Sequence, residues 1–156
     1  MEKPQRHGDT ELERLSPITE RIIGCAIEVH RVLRCGLFES VYRAALCIEF
    51  DAAGLEYCRE VRAPAIYKGH LLGEYRIDFI VEDSVIVEVK SAEHMHPVFE
   101  TQVQTNLRVA HKRLGLLINL QFSARQRRGD TNCGVRPSHA AAKRRSTGSA
   151  GRACDR

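Results

Sequence analysis

The strongest constraint on this chain lies in residues 75–90, Tyr75-Arg-Ile-Asp-Phe-Ile-Val-Glu-Asp-Ser-Val-Ile-Val-Glu-Val-Lys90. Successive strand side chains point to opposite faces, so paired strands that share a buried face must align their apolar sets. Ile77, Phe79 and Val81 form one set and Val85, Val87 and Val89 the other. A three-residue turn at 82–84 pairs Val81 with Val85, Phe79 with Val87 and Ile77 with Val89. A two-residue turn would put the two sets on opposite faces. The three-residue register sets Asp78 opposite Glu88 and Arg76 opposite Lys90 on the other face. Directly opposed Cβ atoms lie about 4.5–5.5 Å apart, and like charges there are destabilising.

Two opposed carboxylates need a neutralising partner. A divalent cation is one, and hard oxygen donors suit Mg²⁺ or Mn²⁺, with Asp78 and Glu88 as the metal ligands. Lys90 shares the face of Glu88 and can hold a water or a phosphate oxygen beside the metal. Such a set suits phosphodiester hydrolysis: the metal polarises the phosphoryl oxygen and acidifies a water, and the lysine orients that water or meets developing negative charge. A different arrangement needs no metal. In it, Arg76 and Lys90 pair diagonally with Glu88 and Asp78, and Glu-x-Lys is the end of a solvated, charge-paired strand.

The pattern around the hairpin predicts the order ααβββαβ. Ser16-Pro17 reads as a helix start. The stripe Ile18, Ile22, Cys25/Ala26, Val29 and Leu33 carries that helix to residue 33, and Gly36 follows it. A second helix over 38–53 is expected to turn Val41, Ala44/Ala45, Ile48 and Ala52 to one side. Strands follow at 57–67, 72–81 and 85–90, with Pro64 pointing to an edge or an irregularity in the first. A third helix over 97–112 is expected to face Val98, Val103, Leu107 and Ala110 inward. Residues 114–120 are continuously apolar, as in a strand buried on both faces. Residues 1–15 read as a flexible lead-in, 16–122 as the folded domain and 123–156 as a disordered tail. That last stretch holds no Leu, Ile, Met, Phe, Tyr or Trp, and too little apolar surface to offset its ordering entropy.

Charge separates the same two regions. The net +4 is unevenly placed: nine Arg/Lys against two Asp give residues 123–156 a charge of +7, and 15 basic against 18 acidic residues leave 1–122 at −3. A basic balance therefore says little about what the domain binds. No apolar run approaches the roughly 18–20 residues a membrane span needs. The charged N-terminus lacks the apolar core of a secretory signal, so the expected compartment is the cytoplasm, with no membrane partner. Cys25, Cys35, Cys47, Cys58, Cys133 and Cys154 form no CxxC pair or zinc spacing and are expected to be reduced. His94 and His96 lack a third ligand and read as a solvated loop.

Asp78 on one strand and Glu88-x-Lys90 on the next, in this element order, resemble the PD-(D/E)XK or restriction-endonuclease-like nuclease superfamily. Upstream, Gly36-Leu-Phe-Glu39-Ser-Val-Tyr42 is similar to the motif of the small bacterial GxxExxY proteins placed in that superfamily. Ile22-Ile-Gly-Cys-Ala-Ile-Glu-Val-His30, Tyr67-Lys-Gly, Tyr75-Arg-Ile-Asp78 and Gly115-Leu-Leu-Ile-Asn119 resemble the same family. The resemblance implies an α/β fold with a restriction-endonuclease-like core, a mixed sheet flanked by helices. It implies a Mg²⁺- or Mn²⁺-dependent nuclease acting on nucleic acid, DNA above all. It assigns catalytic positions to Glu39, Asp78, Glu88, Lys90 and Gln102, with Tyr42 supporting Glu39.

Residue by residue, Glu39 can also be a first-turn glutamate favoured by the helix dipole, Tyr42 a core aromatic with a satisfied hydroxyl, and Gln102 a surface helix residue. The chain departs from the family where a histidine precedes Gln102 by three and a tyrosine follows it by four: Phe99 and Asn106 stand there. The family's short lysine- and isoleucine-containing ending is also replaced after Phe122. A frameshifted or otherwise altered C-terminus accounts for this, and its rival is a basic arm that contacts phosphates. The alternative to an enzyme is a non-catalytic nucleic-acid-binding or protein-interaction module that keeps the nuclease fold, a C-terminally altered remnant being one form of it.

Overall fold

The computed structural model describes residues 7–121 and 134–139. In chain order the elements are α1 (His7–Leu33), α2 (Glu39–Ala52), β1 (Tyr57–Tyr67), β2 (His70–Val81), β3 (Val85–Lys90), α3 (Pro97–Val109), β4 (Leu114–Asn119) and β5 (Gly134–His139). The strands form one mixed sheet in the order β1-β2-β3-β4-β5. β3 and β4 are parallel, joined by the α3 crossover, and the other pairs are antiparallel.

The sheet carries a core on each face. Phe79, Val81, Val85, Val87, Val89, Leu114, Leu116 and Ile118 pack with α1 and α2 through Ile22, Ala26, Val29, Tyr42, Leu46 and Phe50. Ile80, Ile86 and Leu117 pack on the other side with Val103 and Leu107 of α3. Burial on both sides explains why β4 reads as a continuous apolar run. Gly115 lets α3 sit close: a Cβ there would lie 2.6 Å from Val103 Cγ1.

The expected register holds where the strands pair, as Phe79↔Val87, Ile80↔Ile86 and Val81↔Val85. Glu82 and Asp83 both take left-handed backbone, with φ of 51° and 48°, and Ser84 N donates to Val81 O. Ser84 is the extra residue that keeps the two apolar sets on one face.

Ile77 departs from the expected set. It packs on the α3 side with Ala63 and Ile80, not with Phe79 and Val81. The cause lies in β1. Between the pairs Arg59↔Phe79 and Val61↔Ile77, Glu60 adopts φ 53°, and the ribbon changes face there. Pro64 lies on the edge strand, and the register shifts just after it, between Ala65 and Ile66.

Other expectations are corrected. Helix α1 begins at His7, not Pro17, which lies inside it. Strong helix formers at Glu11, Leu12 and Arg14 extend it upstream, within the stretch expected to be a flexible lead-in; residues 1–6 lie outside those described. In α2 the buried side is Tyr42, Leu46 and Phe50, while Val41 and Ile48 are exposed. The larger i, i+4 series is buried because it removes more apolar surface from water. In α3 Val98 is exposed and Asn106 is buried. Gly134–His139, in the stretch expected to be disordered, pairs along β4 from Leu114↔His139 to Asn119↔Gly134. Ladder bonds are made by the backbone, so apolar composition gives no warning of such a strand. The rest of 123–156, and with it the altered-ending and basic-arm readings, lies outside the described residues. Cys25, Cys35 and Cys47 are free, but Cys58 is disulfide-bonded, against the expectation that every cysteine is reduced. Disulfide pairing depends on spatial proximity, which chain spacing does not reveal. Among the described residues no helix is long and apolar enough to cross a membrane.

Candidate active site

In parallel α/β sheets, sites form beyond the carboxyl ends of the strands. Here β3 ends on Glu88, Val89 and Lys90, beside the end of β4. The loop that follows is tied down. Asn119, buried, donates through Nδ2 to Ala92 O (2.7 Å) and accepts from Ala92 N (3.2 Å). Ser91 Oγ donates to Leu37 O (2.8 Å), and Gln121 Oε1 accepts from Gly36 N (3.0 Å). These bonds join the end of the sheet to the loop before α2.

Tyr42 fixes that loop from within. It is fully buried, donates its hydroxyl to Arg34 O (2.6 Å) and accepts from Leu37 N (3.3 Å). It stands in the core, not beside the carboxylates, and sets where α2 starts. Glu39 opens that helix, where the macrodipole favours a carboxylate.

Glu88 is the centre of the site. Its side chain is 2% exposed. Oε1 accepts from Lys90 Nζ (3.0 Å) and from Gln102 Nε2, and Oε2 accepts from Asn106 Nδ2 (3.3 Å). Burial first, then the charge of Asp78, pushes its carboxyl up to about 7 against the pull of Lys90. Lys90 also lies 5.5 Å from the Phe99 ring centroid, a cation–π contact.

Asp78 does not complete a ladder pair with Glu88: the β2–β3 backbone pairing ends at Phe79↔Val87. Its Oδ2 instead accepts the Val89 N–H (2.9 Å), and its Oδ1 accepts from Arg43 Nη1 (3.1 Å). The same Arg43 nitrogen donates to Glu39 Oε1 (2.7 Å). Arg43 thus joins the first motif to the hairpin. Arg76 does not face Lys90 but pairs with Glu60 on the exposed ribbon. The diagonal pairing of Arg76 with Glu88 and Lys90 with Asp78 does not form: Arg43 takes Asp78 and Lys90 takes Glu88.

The structure therefore gathers Asp78, Glu88, Lys90 and Gln102, links Glu39 through Arg43, and leaves Tyr42 behind them. Arg43 and the contact of Asn106 with Glu88 are not part of the sequence expectation. Both had a signal: Arg43 is four residues after Glu39 on a helix, and Asn106 is an amide between the apolar Val103 and Leu107. His96 accepts from Val98 N through Nδ1 (3.2 Å) and caps α3, as a loop residue would.

Among the described residues no group of three His, Cys, Asp or Glu converges as a metal cage. Two carboxylates with open lone pairs fit the hard cation that keeps several waters. Burial, and then the neighbouring Asp78 charge, raises the Glu88 carboxyl.

A search of curated proteins and a search of solved structures find no match to the chain. The family model described as the PD-(D/E)XK nuclease superfamily matches residues 16–129, which include every one of these side chains. With that match over most of its length, the chain belongs to the PD-(D/E)XK nuclease superfamily.

Proposed function

We propose that this chain is a GxxExxY-type nuclease of the cytoplasm that hydrolyses phosphodiester bonds, in DNA above all, using Mg²⁺ or Mn²⁺. The observation that carries this reading is the buried Glu88 carboxylate, held by Lys90, Gln102 and Asn106 beside Asp78. Asp78 and Glu88 would hold the cation. Bound there, a divalent cation supplies phosphoryl polarisation and a water of lowered pKa. Lys90 positions the attacking water, and its ammonium meets charge developing on the phosphoryl oxygens. Gln102 holds the Glu88 carboxylate in place, and Glu39 with Arg43 orients Asp78.

The test is cleavage by the purified chain of single- and double-stranded DNA and RNA with Mg²⁺ or Mn²⁺. Glu88→Ala and Lys90→Ala are expected to abolish cleavage while the fold, read by circular dichroism, persists. A wild-type chain that cleaves none of these substrates sinks the reading.

One observation favours a second reading. Arg43 and Lys90 already pair with Asp78 and Glu88 without any added ion. This suits a non-catalytic nucleic-acid-binding or protein-interaction module that keeps the fold. Calorimetry with Mn²⁺ separates the two. Binding that is lost in Asp78→Asn supports the nuclease, and no binding supports the module.

A further inference from the structure

Arg43 uses one nitrogen for two carboxylates. Nη1 donates to Glu39 Oε1 at 2.7 Å and to Asp78 Oδ1 at 3.1 Å. A guanidinium carries five N–H donors in a rigid planar fork. Among the described residues, nothing accepts from Nε or Nη2, so three donors on one edge remain unused. The side chain is 24% exposed, so it is not sealed in the core.

Charge decides which ligand suits it. The site holds the carboxylates of Glu39, Asp78 and Glu88 against the cations of Arg43 and Lys90, and Lys90 is engaged by Glu88. A phosphodiester adds one more negative charge to this set and needs a cationic donor with free hydrogens. The Nε–Nη2 edge matches two phosphate oxygens in the bidentate geometry that distinguishes arginine from lysine.

We propose that Arg43 is a substrate-contacting residue. Its Nη1 holds Glu39 and Asp78 together, and its Nε–Nη2 edge receives a phosphate of the nucleic acid. This rests on the nuclease reading above. It has a second consequence. A cation held against Asp78 competes with a divalent metal for that carboxylate, so Arg43 opposes metal binding while it favours nucleic-acid binding.

The experiment uses the full chain and two readouts besides cleavage: calorimetric titration with Mn²⁺ alone, and fluorescence anisotropy of labelled double-stranded DNA in EDTA. Arg43→Gln is expected to bind Mn²⁺ severalfold more tightly and DNA about tenfold more weakly, the loss of charged hydrogen bonds. Arg43→Lys keeps the charge but not the fork. It is expected to bind Mn²⁺ like the wild type and DNA about tenfold more weakly. A purely structural arginine would weaken both affinities in Arg43→Gln. Should that variant not fold, Arg43→Lys decides by itself. Unchanged DNA affinity in Arg43→Lys, or weaker Mn²⁺ binding in folded Arg43→Gln, overturns the assignment. Wild-type protein that binds DNA but never cleaves it overturns the nuclease reading while leaving Arg43 to be judged by binding. Wild-type protein that does not bind DNA removes both.

Discussion

Replacing Glu88 with glutamine in metal-free protein should raise stability at alkaline pH, although it removes the central acid of the site. The folded state holds the Glu88 proton up to about pH 7, whereas the ordinary value for the unfolded chain is 4.5. Between those values the folded state binds more protons than the unfolded state, so stability falls as pH rises through that window. Below about pH 4.5 no penalty exists; above about pH 7 it is complete. The displacement corresponds to about 3 kcal/mol at 1.36 kcal/mol per unit. Glu88→Gln keeps the shape and removes the titration. The new amide can also donate to Asn106 Oδ1, which has no partner among the described residues. Lys90 loses its anionic partner, so about 3 kcal/mol is the upper bound of the gain. The assay is denaturant unfolding of both proteins in EDTA from pH 4.5 to 8. The stability difference, variant minus wild type, should grow across pH 5–7 and level off above. At pH 8 the bound corresponds to a rise in Tm of at most about 6–12 °C. Titrating groups remote from Glu88 are shared and cancel in the difference. A difference that stays flat across pH 5–7, or that moves against the variant as pH rises, refutes the reasoning.

Three further outcomes follow from other parts of the molecule. Tyr42→Phe leaves Arg34 O and Leu37 N without their hydroxyl partner and should cost about 1–3 kcal/mol in denaturant unfolding. Gly115→Ala forces a methyl against Val103, a stiff β-branched side chain, and should cost about 1–3 kcal/mol by the same measurement. Phe50→Ala empties a fully buried site between Tyr57 and Phe79 and should cost about 3–5 kcal/mol, read as a fall in the unfolding midpoint. Stability of Phe50→Ala within about 1 kcal/mol of wild type would place the α2 core elsewhere.

Much of the scaffold was legible because it is written in short-range periodicity. Two apolar sets of equal parity require an odd turn, and the turn at 82–84 with the pairs from Phe79↔Val87 to Val81↔Val85 follows from that alone. The uninterrupted apolar run of β4 identifies a strand buried on both faces, and Pro64 marks the edge strand. The same parity puts Glu88 and Lys90 on one face, whereas Asp78 is held near them by the Val89 N–H and not by the ladder. Periodicity was less informative for α2, where two candidate stripes differ mainly in side-chain size and only the sheet beneath decides between them.

What tertiary structure alone decided is the charge pairing within the site. Asp78 leaves the strand ladder to take the Val89 N–H, and its cationic partner is Arg43, 35 residues earlier on another element. Asn106 reaches Glu88 only because Gly115 allows α3 to lie close on β4. Glu60 turns the β1–β2 ribbon so that Ile77 faces α3, and β5 closes along β4 through backbone bonds that composition does not record. Residue order determined which elements form and how the hairpin registers, because those depend on neighbours a few positions away. Which cation neutralises which carboxylate depends on how separate elements pack, since charge interactions act across space and take no account of distance along the chain.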